Sequence, residues 1–137
     1  DQVHRYSSKI SGPLLDRIDL HIEVPSQSAG HLINAPVGEN TASIRARCHQ
    51  ARRMALQRQS CTNQALNGAA LDLHAQLGAE AKTYLTQVAT HFAWSGRSTH
   101  RVLKIARTIA DLATAASIQS EHIAEAVQYR RPLAGHR

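Results

Sequence analysis

The chain has 137 residues, about one domain's worth, with a formal net charge of +6 and an isoelectric point near 10.0. Hydrophobic residues make up 42% of it but aromatics only 4%, so a core must be assembled from Leu, Ile, Val and Ala, which favours closely packed helices over a sheet. No run reaches the ~18 apolar residues of a membrane span, no signal peptide is visible, and Cys48 and Cys61 have neither redox-motif nor zinc-site spacing, which reads as two thiols of a cytoplasmic protein.

Residues 1–25 read as a loop, a short helix at 12–17 and a strand at 20–24. Pro13 suits the first turn of that helix, where its missing N–H costs nothing. The strand pattern is the alternation Ile18-Asp19-Leu20-His21-Ile22-Glu23-Val24, closed by Pro25. A lone strand has no ladder partner, so this segment is expected to be loosely ordered. Residues 26–39 show Ser, Gly, Asn and Pro without periodicity and read as a linker.

Helical patterns follow. The first, capped by Asn40 or Thr41, runs to about Arg58 with Ile44, Cys48, Ala51 and Ala55 in one stripe. Residues 60–75 read as a polar connection with a turn at Asn67-Gly68 and a short helical turn at 70–74. A second helix is expected at 79–93, carrying Leu77, Ala81, Leu85, Val88 and Phe92 on one side and broken by Ser95-Gly96. A third is expected at 97–114, with Val102, Ile105, Ala106, Ile109 and Ala113 facing the core. Ser120 is the expected N-cap of a fourth, reaching Tyr129, with Ile118 as its apolar neighbour. Pro132 and Gly135 mark a tail. The chain opens with Asp1 in mid-pattern and reads as an excised segment.

Two arginines stand out. Arg17 follows Asp16 at the end of a short helix, immediately before the strand pattern. Arg97 opens a long amphipathic helix, where free N–H groups and the helix dipole already attract anions. The plain alternative for Arg17 is a surface arginine paired with Asp16 or Asp19, and for Arg97 a solvated helix-start residue. Arg101, Lys104 and Arg107 form a basic stripe, and Arg45, Arg47, Arg52, Arg53 and Arg58 lie mostly off their helix's apolar stripe. Both sets read as solvated faces rather than phosphate contacts. The nine histidines are scattered, without metal-ligand spacing, and read as surface residues.

The segments SGPLLDRIDLHIEVP, SGRSTHRVLKIARTIADLA and SEHIAEAVQYR resemble the C-terminal portion of the magnesium-chelatase-like AAA+ ATPases, in their ComM-type (YifB-like) branch. LLDRID matches that family's interface-arginine segment residue for residue. Ser7 stands where the family has Arg, Gly96 where it has Ala, and Ser98-Thr99 where it has Ala-Tyr. The resemblance implies a mainly α fold: a four-helix lid over residues 40–131, preceded by a remnant of the α/β core at 1–25, with a linker at 26–39 and a tail at 132–137. It implies that Arg17, supported by Asp16, acts as an arginine finger on the neighbouring subunit's ATP. It further implies that Arg97 senses the γ-phosphate bound by its own subunit (sensor 2), with Arg101 a further nucleotide-contact candidate.

The parent protein so implied is a hexameric ATPase that uses ATP and Mg²⁺ and drives DNA branch migration during uptake and recombination of foreign DNA. The phosphate-binding pattern G-x-x-x-x-G-K-[ST] does not occur in these residues. The segment alone is therefore expected to be monomeric, without bound ATP and without ATPase activity. Two other readings stay open: a small helical DNA-binding module, with residues 79–112 as a helix-turn-helix, and a chelatase subunit acting on a tetrapyrrole.

Overall fold

Three of the helices begin where a side chain satisfies free backbone N–H groups. A computed structural model describes residues 17–130, the side chains of His31 and Leu32 excepted. The expected helix at 12–17, Asp16 and the tail at 132–137 thus lie outside the described residues, save Arg17 itself. The described part is mainly helical: α1 (Ala29–Asn34), α2 (Thr41–Gln59), a 3₁₀ turn (Asn63–Ala65), α3 (Gly68–Ala75), α4 (Ala79–His91), α5 (Gly96–Leu112) and α6 (Ser120–Gln128).

Asn40 caps α2, its Oδ1 accepting the Ser43 N–H at 2.9 Å, and Ser95 caps α5, its Oγ accepting the Ser98 N–H at 3.2 Å. Ser95 therefore starts a helix as well as separating two. Gln119, not Ser120, caps α6. Its side chain accepts from the His122 N–H, and His122 Nδ1 accepts the Gln119 N–H at 3.0 Å. This is a reciprocal capping box with histidine in the place usually held by Glu or Gln. It buries His122, so the expectation that the histidines lie on the surface fails there.

α5 is the organising helix. It packs against α2, α3 and α6, and α4 packs against α6. Leu66, Leu71, Ala75, Ala81, Leu85, Val102, Leu103, Ala106, Ala110, Ile118, Ile123, Ala126 and Val127 form the core. Small residues at 75, 81, 106, 110 and 126 let helix backbones approach closely, which is how so few aromatics suffice. One isolated parallel bridge, Leu77 to Ile118, joins the α3–α4 and α5–α6 connections. Across it the Gly78 N–H donates to the Ile118 carbonyl and the Ile118 N–H to the Gln76 carbonyl, each at 3.0 Å, and a Cβ on Gly78 would sit 3.3 Å from the capping Gln119 side chain.

Several expectations are corrected. The linker at 26–39 contains α1, a short helix whose described side chains are all exposed. The polar connection at 60–75 is a 3₁₀ turn and a full helix that deliver Leu66, Leu71 and Ala75 to the core. The described body accordingly has more than four helices. Phe92 and Ala113 lie just past their helices and are exposed, and Ile44 and Cys48 occupy the exposed first half of α2. Residues 20–24 take no strand pairing; the His21 N–H bonds instead to the Tyr129 carbonyl of the α6 end at 2.8 Å.

The basic stripe on α5 is not a solvated face. Arg107 is fully buried, and Asp111, one turn on, is 1% exposed. Arg107 Nη2 donates to Asp111 Oδ1 at 3.0 Å and to the Ala115 carbonyl at 2.7 Å, while its Nη1 donates to the Ala116 carbonyl at 3.0 Å. Arg58 reaches from α2 to hold both Asp111 oxygens at 2.7 and 2.9 Å, and Asn63 donates to Oδ2 at 2.8 Å. One carboxylate thus joins α2, the 3₁₀ turn and α5. Burial would raise the Asp111 carboxyl; the bonds from Arg58 and Asn63 and the charges of Arg107 and Arg58 outweigh it and hold it below the usual range.

Candidate functional site

The start of α5 is the first element of the site. Ser95 supplies the cap, and no acidic residue stands in the first turn. The partial positive charge of that helix end is therefore not neutralised by its own residues. Arg97 is the second residue of the helix and is exposed. Its guanidinium can extend two parallel donors to an anion that also meets the helix dipole. His100 and Arg101 follow about one turn later, both partly buried.

The second element is the segment beginning at Arg17, laid along α5 and α6. Three contacts fix it. Arg130 donates to the Ile18 carbonyl, Asp19 pairs with Arg101 Nε at 3.5 Å, and the His21 N–H meets the Tyr129 carbonyl. The segment borders a groove of about 610 Å³ whose lining includes the charged Arg17, Asp19, Arg101, Lys104 and Glu125 and the apolar Ile105, Ile109 and Leu112. Arg17 is exposed there. Lys104 is held by the Gln64 carbonyl and Asn67 Oδ1, each at 3.0 Å.

The structure thus brings Arg17 and Arg101 to one groove. Arg97 stands one turn from Arg101, at the head of the same helix. Arg101 is mostly buried; its Nη1 has no hydrogen-bond partner among the described residues, while its Nε faces Asp19. Asp19, one of the two partners in the plain alternative for Arg17, pairs with Arg101 instead. Asp19 and Arg101 as a pair escaped the sequence reading, because 82 residues separate them and no periodicity relates them. The buried Arg107–Asp111 pair was within reach: opposite charges at i, i+4 sit inside the stripe Leu103, Ala106, Ala110.

Other readings find less support in the geometry. α4 packs on α6 and not chiefly on α5, unlike the paired helices of a helix-turn-helix. Among the described residues no group of three or more His, Cys, Asp or Glu is placed to hold a metal ion. No described helix is long and apolar enough to cross a membrane.

Residues 38–130 match the family described as "Magnesium chelatase, subunit ChlI C-terminal", and residues 1–32 match "Magnesium chelatase, subunit ChlI". The chain is 37% identical over 131 residues to YifB of Salmonella typhimurium, covering 95% of this chain. It is 37% identical over 130 residues to the competence protein ComM of Haemophilus influenzae, covering 94%, and 34% identical over 131 residues to protein Mb2921c of Mycobacterium bovis, covering 93%. It spans 26% of the length of each of these relatives. The chain belongs to the magnesium chelatase ChlI family, among relatives of its ComM/YifB-type branch, and its helical body is that family's C-terminal domain.

Proposed function

We propose that this chain is the lid portion of a ring-forming AAA+ ATPase and that Arg97 is the residue with which the lid senses the γ-phosphate of its own subunit. The observation that carries this reading is the exposed Arg97 in the first turn of α5, a helix end without a neutralising carboxylate. Arginine suits the task because its planar fork binds two phosphate oxygens and stays protonated. Arg101 supports it from the next turn. Arg17, backed by Asp16, is the finger presented to the neighbouring subunit's nucleotide. Magnesium arrives with ATP and is held by residues outside this chain.

The parent protein, in this reading, is a hexamer of the cytoplasm that drives branch migration of DNA during uptake and recombination. Kinship with a competence protein over 94% of the chain supports that choice. The family description, which names magnesium chelatase, favours tetrapyrrole metallation as the second reading.

Arg97→Ala in the full-length protein is expected to lower ATP turnover at least ~10-fold, as loss of phosphate-directed donors does. Unchanged turnover at saturating ATP together with unchanged ATP affinity would overturn the sensor role. ATP-driven movement of a four-way DNA junction, without porphyrin metallation, separates the two parent activities; the reverse result favours the chelatase.

A further inference from the structure

The finger-bearing segment and the sensor-bearing helix are joined directly. Asp19, two residues after Arg17, faces Arg101 Nε at 3.5 Å, and Arg101 is one helical turn after Arg97. The Arg101 side chain is only 15% exposed, so this end of the pair is held by its surroundings. The backbone on either side of Asp19 is also tied down, with the Ile18 carbonyl bonded to Arg130 and the His21 N–H bonded to the Tyr129 carbonyl. These contacts involve both α5 and the end of α6, the two helices most extensively packed together. The segment thus follows the lid helices as a strap.

We propose that Asp19 and Arg101 are positioning residues that couple nucleotide sensing to the finger: a shift of α5 caused by phosphate at Arg97 is transmitted through Arg101 to Asp19 and so to the place where Arg17 is presented. This rests on the sensor and finger roles proposed above. Neither residue of the pair needs to touch the neighbour's nucleotide for the coupling to operate. The consequence is communication between adjacent pockets. A lid closed on its own nucleotide sets the finger for its neighbour, and an empty lid withdraws it. Such coupling requires the strap to take two positions, of which the contacts to Arg101, Arg130 and Tyr129 define one.

The test uses Asp19 variants of the full-length ring, with Arg17→Ala and Arg97→Ala as references. Asp19→Asn and Asp19→Lys are expected to leave ATP affinity within about twofold, to lower turnover by ~5-fold or more, the lower edge of ordinary coupling effects, and to bring the Hill coefficient for ATP down to 1. Asp19→Glu, which keeps the charge, restores both. In the 137-residue chain, hydrogen exchange at the His21 amide should accelerate in Asp19→Lys while amides of α5 keep their protection. If Arg17→Ala is severe but Asp19→Lys keeps full turnover and an unchanged Hill coefficient, the coupling is wrong and the finger stands. If Arg17→Ala itself is silent, the finger reading fails first. Loss of α5 protection in Asp19→Lys, with no recovery in Asp19→Glu, reduces the pair to a packing contact and overturns the proposal.

Discussion

At the scale of single residues, Asp111 matters most for the integrity of the lid. It is buried between two arginines and an asparagine, and three elements converge on it. A buried ion pair gives little net stability over an apolar replacement, but removing one partner leaves charges stranded. Asp111→Ala strands Arg107, which is wholly inside, and frees Arg58 from α5. The expected loss is about 3–5 kcal/mol, read from denaturant unfolding at neutral pH. The carboxyl is depressed in the folded state, so its contribution is fully present above the unfolded value of about 3.9. It is lost as pH falls through the lower folded value. Asp111→Asn keeps the shape and one acceptor but cannot titrate. The stability difference between wild type and Asp111→Asn should therefore shrink on acidification through that window. A constant difference would show that the carboxylate is not depressed.

At the scale of elements, the long helices were legible because their caps and periodicity agree. Asn40, the stripe through Val102 and Ala106, and the start of α6 near Ser120 fall within a residue or two of the observed positions. The pieces between them were not. α3 is only eight residues, and its N-terminal Gly68 has φ +51°, which resembles a turn more than a helix start. α1 is shorter still and buries none of its described side chains, so no apolar pattern announces it. Helix ends were also misjudged, because α4 and α5 both stop in Schellman motifs without glycine. Trp94 N–H bonds the Ala89 carbonyl and Ala115 N–H the Ala110 carbonyl, with Ala93 at φ 49° and Thr114 at φ 57° in the left-handed position. Threonine is β-branched and poorly suited to that conformation. Since Thr114 is exposed, replacing it removes no core contact. Thr114→Gly is expected to stabilise the chain by about 1 kcal/mol, seen as a higher thermal midpoint. A lower midpoint would mean that the side chain contributes more than its backbone strain costs.

At the scale of the whole molecule, two arginines with different addresses share one body. Arg97 projects from the head of α5, and Arg17 lies at the wall of the groove along the same helix. Their identity as candidates was legible in the local motifs, while their connection through Asp19 and Arg101 needed the tertiary structure. If Arg17 is a finger acting between subunits, its effect belongs to the neighbour's pocket. Arg17→Ala should then leave ATP binding to each subunit nearly intact, while hydrolysis falls by ~10³-fold or more, the scale on which arginine fingers operate. Mixing decides the direction of action. A second mutant, intact at Arg17 but unable to bind ATP, is inactive alone. In mixed rings, an ATP-binding pocket of the first mutant can sit beside an intact Arg17 of the second. Activity should reappear as the proportions are varied and peak at intermediate ratios. Rings shown to exchange subunits yet giving no recovery at any ratio would place the action of Arg17 within its own subunit.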